Sequence, residues 1–128
     1  MKRILIVDDS VTSRMFLKRC LQTITAKNPC EIIEAENGEE ALSILDGELK
    51  IDILMTDINM PTMSGYTLVK NIQGKPNLSG LPIIFVTSLA NESGSPVLLA
   101  MGVKAVIKKP VKPQEVLKAI EPYLDETK

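Results

Sequence analysis

The stretch Arg3-Ile-Leu-Ile-Val7, followed at once by Asp8-Asp9-Ser10, decides the fold of this chain. The run is short, apolar and without polar alternation, which is typical of a parallel strand buried on both faces. Ser10 is a suitable N-cap, and apolar residues then recur at helical spacing, namely Phe16, Leu17, Cys20, Leu21 and Ile24. The sequence therefore predicts a strand followed by a helix that covers it.

Short apolar runs continue to alternate with helical patterns along the chain. Further strands are predicted over Glu31–Ala35, Ile51–Thr56, Pro82–Val86 and Ala105–Ile107. Helices are predicted from the Asn37 cap through Leu45, over Ser64–Gln73, after a Ser95 cap, and from Pro113 onward. Pro122 is expected to end or bend the last helix, because proline lacks a backbone N–H. This alternation predicts an α/β fold with a parallel sheet and helices on both faces.

The composition of the 128 residues is that of a globular protein and excludes several classes. Apolar residues make up 45%, charged residues 24%, and the net charge of −1 argues against binding nucleic acid by charge alone. The apolar runs are too short for a membrane span or a signal peptide, so we expect a cytoplasmic protein without membrane insertion. We also expect a single domain over residues 1–128, with no output domain.

The chain contains no histidine, and this absence removes many kinds of chemistry. It excludes a Ser-His-Asp triad, histidine-ligated zinc and a phosphohistidine on this chain. The two cysteines, Cys20 and Cys30, are too few for a cysteine-rich zinc site and lack redox-motif spacing, so we expect reduced thiols.

Polar residues follow the predicted strands at their carboxyl ends, where open parallel sheets bind ligands. They are Asp8 and Asp9 after the first strand, Asp57 after the third, Thr87 and Ser88 after the fourth, and Lys108 and Lys109 after the fifth. A single aspartate in such a place is often only a cap or a turn former, but the set at matched positions is specific. Neighbouring strand residues face opposite ways, so only one of the two lysines can enter the site.

Carboxylates brought together repel one another, and a hard divalent cation such as Mg²⁺ resolves that conflict. The lysine then supplies a point charge to an anion, and the threonine hydroxyl supplies a rotatable donor. A cation, a nucleophilic carboxylate, a lysine and a hydroxyl together form a phosphoryl-transfer site. Phosphate-binding loops of the GxGxxG and GxxxxGK[ST] types are missing from the sequence.

These motifs resemble those of a known family. The residues are Asp8-Asp9-Ser10, the DINMP run of Asp57–Pro61 with Gly65, Thr87, and Lys109-Pro110. In order and spacing they are similar to the response regulator receiver domains of two-component signalling, most of all to single-domain, CheY-like members. The resemblance covers essentially the whole chain and implies a flavodoxin-like, CheY-like fold with strand order 2-1-3-4-5.

The resemblance implies that Asp57 is the phosphoacceptor. The donor would be a phosphohistidine on a partner histidine kinase or histidine phosphotransfer protein. Mg²⁺ would be bound directly by Asp9, Asp57 and the backbone carbonyl of Asn59, whereas Asp8 would act largely through water.

The resemblance also selects Lys109, which precedes the proline, as the lysine that pairs with the phosphoryl group. Lys108 is then a solvated surface charge, and Thr87 hydrogen-bonds to the phosphoryl group and reports its presence. Such a chain is a reversible switch rather than an enzyme, because it turns over no external metabolite. It would signal through contacts with an unknown downstream protein, and chemotaxis-type signalling, a phosphorelay intermediate and a phosphate sink stay open as its role.

One residue departs from the family pattern at the switch itself. Most members carry Tyr or Phe three residues before the lysine, whereas this chain has Val106. A β-branched side chain is stiff about χ1 and has no ring to bury, so we expect no aromatic rotamer switch. Backbone movement of the segment Leu89–Pro96 is expected to replace it.

Charge on the first predicted helix leaves two interpretations open. Arg14 and Lys18 are four residues apart and share a helix face near the active edge. In the resembled family this helix docks the phosphodonor, so a basic face would suit an acidic partner. An ordinary solvated helix face fits the same pattern equally well.

Overall fold

In the computed structural model, which describes residues 1–88 and 100–124, five strands form one parallel sheet. The strands are β1 (Arg3–Val7), β2 (Glu31–Ala35), β3 (Ile53–Thr56), β4 (Ile83–Thr87) and β5 (Ala105–Lys108). Their order is β2-β1-β3-β4-β5, and every neighbouring pair is parallel. The predicted fold class and strand order are therefore confirmed.

Helices connect the strands. Within the described ranges they are α1 (Val11–Ile24), α2 (Gly38–Leu45), α3 (Gly65–Gln73) and α4 (Pro113–Leu124), with a short 3-10 turn at Pro76–Leu78. Ser10 and Asn37 cap α1 and α2 by accepting the amide three residues further on, as predicted. The predicted helix capped by Ser95 and the segment Leu89–Pro96 lie outside the described residues. None of the helices described is long and apolar enough to cross a bilayer.

The sheet is covered on both faces, and β1 shows how its sequence achieves this. Ile4 and Ile6 are fully buried on the side of α1 and α4, whereas Leu5 and Val7 face the core formed with α2 and α3. Alternating side chains of one strand thus enter two separate cores. An unbroken apolar run is what such a strand requires.

β3 begins at Ile53, two residues later than predicted. Asp52 pairs with Arg3 through a side chain as well as the backbone: the Arg3 N–H donates to Asp52 Oδ2 (2.8 Å), and the Asp52 N–H donates to the Arg3 carbonyl (2.9 Å). A carboxylate that accepts a hydrogen bond from a backbone N–H competes with the carbonyl groups that pair strands in the regular sheet.

Smaller differences occur at β4, β5 and the last helix. β4 begins after Pro82 because proline has no N–H for the ladder, and β5 extends to Lys108, which pairs with Thr87. α4 continues through Pro122 to Leu124, so it does not end at Pro122, and the alternative expectation of a bend there stays a prediction. The carbonyl that loses its donor is that of Lys118, an exposed residue at which water can replace the bond.

The buried face of α1 differs from the predicted apolar stripe at two positions. Phe16 is 57% exposed, and the buried residues of the helix are Arg14, Leu17, Cys20 and Leu21. The buried face of α1 therefore carries a cation, Arg14, at its amino-terminal end, and Phe16 lies beside this face.

The start of α3 rests directly on the backbone that follows β3. The Gly65 N–H donates to the Ile58 carbonyl at 2.8 Å. A Cβ at Gly65 would lie 2.5 Å from the Asp57 carbonyl oxygen and 2.9 Å from Ile58 Cα. Only glycine permits this approach, which fixes the peptide that carries Asp57.

Gly65→Ala is expected to lower the free energy of unfolding by about 1–3 kcal/mol, because the added methyl group forces two backbone segments apart. Gly74→Ala, at the other end of α3, is the matched control. Its Cβ would meet no atom closer than 3.6 Å, so its effect should stay within about 1 kcal/mol. Urea unfolding followed by circular dichroism measures both variants, and equal stabilities would contradict this account of the α3 contact.

Candidate functional site

The carboxyl edge of the sheet brings together residues that are far apart in the sequence. Asp8 directly follows β1, Asp57 follows β3, Thr87 ends β4, and Lys109 follows β5. The hydrogen-bond ladder continues past the strands, because the Asp57 N–H donates to the Val7 carbonyl (2.9 Å) and the Lys109 N–H to the Thr87 carbonyl (2.7 Å). The site residues are thus anchored by backbone bonds to the sheet.

The Lys109 ammonium joins the carboxylates. Its Nζ donates to Asp8 Oδ2 at 2.7 Å and to Asp57 Oδ2 at 3.0 Å, with Ser13 Oγ at 3.5 Å. The side chains of Lys109, Asp8 and Asp57 are 20%, 9% and 12% exposed, so solvent screens these ion pairs only in part. Sequence reasoning missed Ser13, although the start of a helix directly after Asp8-Asp9 places its first turn beside the site.

Backbone amides hold the other oxygen of each carboxylate. Asp8 Oδ1 accepts the Ser10 N–H at 2.9 Å, and Asp57 Oδ1 accepts the Ile58 N–H at 2.7 Å. Each carboxylate is therefore oriented from two directions, by an amide on its own loop and by the lysine from β5.

The third carboxylate completes a cluster of hard oxygen ligands. One oxygen each from Asp8, Asp9 and Asp57 lies within 4.8 Å of the others, with Asp8 buried, Asp57 half-buried and Asp9 exposed. One ammonium does not balance three carboxylates, so this donor set fits a divalent cation that retains water on its open side. Asn59 lies exposed in the loop after β3, and the role of its carbonyl stays a prediction.

The remaining residues predicted at strand ends differ in burial. Thr87 is buried, with only 1% of its surface exposed. Ser88 and Lys108 are exposed, whereas Lys109 is half-buried. Of the two neighbouring lysines, the structure brings Lys109 to the carboxylates.

The surroundings of Lys109 act on its pKa in opposite directions. Burial lowers the pKa, but hydrogen bonds and charge attraction from Asp8 and Asp57 outweigh it, so the pKa lies above the ordinary value of 10.5. The side chain is consequently an ammonium throughout the physiological range.

Val106, at the position where the resembled family carries a ring, is half-buried and packs against the core on the side of α2 and α3. The same core contains a ring pair, since Tyr66 and Phe85 meet edge to face with centroids 5.8 Å apart.

The basic-face interpretation of α1 is wrong for Arg14. Arg14 is only 8% exposed, and its guanidinium Nε lies 3.3 Å from Glu34 Oε1. Lys18 is half-buried, with its side chain 39% exposed, and its Nζ lies 3.4 Å from the same carboxylate. Near its start α1 presents the apolar residues Val11, Met15 and Phe16 to solvent, next to the exposed Thr12.

A largely apolar groove of about 410 Å³ adjoins the site. Phe16 and Leu17 of α1 line one side, and Pro110 and Val111 after β5 line the other. Lys109 also lines the groove, which therefore leads from the exposed apolar face of α1 to the carboxylates.

The strand order and the acidic site at the carboxyl edge define a doubly wound α/β protein of flavodoxin-like topology. A sequence model described as the response regulator receiver domain matches residues 4–121, and the chain belongs to that family. Members of the family are phosphorylated on an aspartate by a histidine kinase.

Individual relatives agree with this assignment. A protein named chemotaxis protein CheY homolog, from Campylobacter jejuni, is 35% identical over 122 residues, which are 95% of this chain and 92% of that protein. The sensor histidine kinase CheAY of Helicobacter pylori matches 84% of this chain at 33% identity, over 13% of its own length. The structure of chemotaxis response regulator CheY4 of Vibrio cholerae superimposes with a TM-score of 0.79 at 28% identity, covering 96% of this chain and 98% of that one.

Lys109→Met in magnesium-free buffer is expected to lower the free energy of unfolding by about 1.5–3 kcal/mol near neutral pH, because it removes a cation hydrogen-bonded to two carboxylates. The folded-state pKa of Lys109 is raised, so its contribution is complete below pH 10.5 and disappears as the pH rises through the higher folded value.

The measurement is urea unfolding of wild type, Lys109→Met and the exposed neighbour Lys108→Met from pH 7 to pH 11.5. The difference between wild type and Lys109→Met should narrow above pH 10.5, the ordinary lysine value. A difference that stays constant to pH 11.5, or an equal effect of Lys108→Met, would show that the ion pairs do not stabilise the fold.

Proposed function

We propose that this chain is a Mg²⁺-dependent aspartyl-phosphate switch in which Asp57 accepts the phosphoryl group. The observation that carries the proposal is the position of the Lys109 ammonium, which touches both Asp57 and Asp8 at the carboxyl edge of the sheet. A nucleophilic carboxylate beside a fixed cation is suited to receiving a phosphoryl group.

We assign the magnesium ligands as Asp9, Asp57 and the backbone carbonyl of Asn59, with Asp8 acting through water. The grouping of oxygens from Asp8, Asp9 and Asp57 within 4.8 Å of one another supports this assignment. When bound, the cation supplies neutralisation of the negative charge on the phosphoryl oxygens. The exposed Asp9 leaves this charge accessible from the solvent side.

In the proposed transfer, a carboxylate oxygen of Asp57 attacks phosphorus on the partner's phosphohistidine. The new O–P bond forms as the P–N bond breaks, and the imidazole leaves with the electron pair and takes a proton from solvent. Lys109 stabilises the negative charge that develops on the phosphoryl oxygens, and the Ile58 amide keeps the carboxylate oriented. Water later attacks phosphorus in the same way and releases phosphate, so the chain returns to its starting state and is not an enzyme for an external substrate.

Thr87 is proposed to report phosphorylation by hydrogen-bonding to the phosphoryl group. It ends β4 beside Lys108 of β5, and its carbonyl accepts the Lys109 N–H, so a shift of Thr87 is transmitted directly to β5. Because Val106 has no ring to rotate, the signal is expected to leave through the backbone of β5.

The phosphodonor is proposed to be a histidine kinase or a histidine phosphotransfer protein that docks on the start of α1. The exposed apolar residues Val11, Met15 and Phe16, together with the groove that leads to Lys109, support an apolar docking face. The names of the relatives favour chemotaxis-type signalling to a downstream protein in the cytoplasm. A phosphorelay intermediate and a phosphate sink are the alternatives, and we propose that residues 1–128 act as one receiver domain without direct contact to nucleic acid.

Incubation with acetyl phosphate and Mg²⁺ is expected to add one phosphoryl group to the wild-type protein, detected by intact mass. Asp57→Asn should abolish the addition because the amide is not a nucleophile, whereas Asp46→Asn, at an exposed carboxylate that ends α2, should leave it unchanged. Removal of Mg²⁺ with a chelator should also abolish it. A phosphoryl group that persists in Asp57→Asn would overturn the proposed acceptor.

Addition of beryllium fluoride, a phosphoryl mimic, with Mg²⁺ is expected to shift the backbone amide resonances of Thr87 and of β5. The side chain of Val106 should keep its rotamer, because χ1 of a packed valine is stiff. Amide and methyl NMR spectra with and without the mimic measure both effects. Unchanged β5 amides in a protein that has bound the mimic would contradict transmission along this strand.

A further inference from the structure

Arg14 is an unusual residue for its place in the fold. It lies in the first turns of α1, is only 8% exposed, and points inward on the same face as Leu17 and Leu21. Burial of a guanidinium is costly unless its donors are satisfied and its charge is paired. Its contacts therefore show what the residue does there.

The guanidinium holds the backbone of the predicted metal loop. Its Nη1 donates to the backbone carbonyl of Asp8. That carbonyl and the N–H of Asp9 belong to one planar peptide group, so a bond to the carbonyl fixes the orientation of the peptide between the two aspartates. Arg14 thus acts on the link between two carboxylates of the cluster without touching either carboxylate.

Strand β2 anchors the other side of this arrangement. Arg14 Nε donates to Glu34 Oε1 at 3.3 Å, and the neighbouring Ala35 carbonyl accepts the Asp8 N–H at 3.2 Å. Both backbone groups of Asp8 are therefore tied to β2, one directly and one through Arg14. The planar fork of arginine allows one side chain to donate to the Asp8 carbonyl and to Glu34 together, which a lysine ammonium reproduces poorly.

We infer that Arg14 is a positioning residue for the magnesium site, acting through the Asp8–Asp9 peptide. The inference rests on the proposed function, because it requires that the carboxylate cluster bind Mg²⁺. Arg14 could affect magnesium binding in two ways, which have opposite signs. A bare positive charge near the cluster would weaken binding of a cation, so its removal would tighten the binding. Loss of a positioning contact would instead weaken the binding of Mg²⁺.

Isothermal titration of Mg²⁺ into the unphosphorylated protein tests the inference. Arg14→Met is expected to raise the dissociation constant about tenfold, as is typical when a group that orients metal ligands is removed. Arg14→Lys, which keeps the repelling charge but not the fork, should raise the dissociation constant at least as much as Arg14→Met. Lys18→Met is the matched control because Lys18 pairs with the same Glu34 through a side chain that is 39% exposed, against 10% for Arg14, and it should change the constant less than about twofold.

Phosphorylation by acetyl phosphate supplies a second readout. In Arg14→Met the Mg²⁺ concentration for half-maximal rate should rise by the same factor, while the rate at saturating Mg²⁺ stays close to that of wild type. Thermal unfolding of each variant identifies any that do not fold, and Arg14→Lys then provides the comparison.

The possible results lead to different conclusions. An unchanged magnesium constant with reduced stability would make Arg14 a purely structural tie between α1 and β2, and a tighter constant would show that it acts through charge; either result overturns the inference. A wild-type protein that binds no Mg²⁺ would instead overturn the proposed metal site, and the inference with it.

Discussion

The repulsion among three carboxylates at one edge of the sheet is the constraint on which this structure depends. Asp8, Asp9 and Asp57 are held within a few ångströms by strands that cannot move apart. Lys109 relieves part of that repulsion through bonds of 2.7 and 3.0 Å. The excess of negative charge that remains favours a bound cation at this edge, and the surrounding fold must offset the free energy of holding the carboxylates together.

The fold offsets that free energy by fixing the backbone as well as the carboxylate side chains. β1 and β3 are central strands whose residues are buried on both faces, so the peptide groups at their ends have little freedom. Gly65 allows α3 to pack against the Asp57 peptide, and Arg14 donates a hydrogen bond to the Asp8 carbonyl. The carboxylates of Asp8 and Asp57 each accept a hydrogen bond from a backbone N–H of their own loop. The site is therefore ordered in advance of any ligand.

Secondary structure could be predicted from the sequence where it depends only on neighbouring residues. The apolar run of β1 and the Ser10 and Asn37 caps depend on neighbouring residues, and the structure confirms them. The bounds of β3 depend on the reciprocal pair of Asp52 and Arg3, which joins residues 49 positions apart and leaves no local signal.

Arg14 shows the same limit at the site. Spacing alone placed it with Lys18 on a basic face, because local rules assign charged residues to solvent. Its burial is decided by a carbonyl at the end of β1 and a carboxylate on β2. The inward stripe of Leu17 and Leu21, extended back by one turn, reaches position 14 and was the available signal. Phe16 is exposed for the complementary reason, since it lies beside that stripe.

The hydrogen bond between Lys109 and Asp8 joins residues 101 positions apart. It connects the end of β1 to the end of β5. Long-range closures of this kind form late, since the entropy of closing the loop must be met before the contact contributes. A chain whose β5 has not yet docked has the Asp57 carboxylate but lacks the Lys109 ammonium beside it. Under the proposed function, the ability of Asp57 to accept a phosphoryl group therefore depends on the docking of β5, which brings the Lys109 ammonium to it.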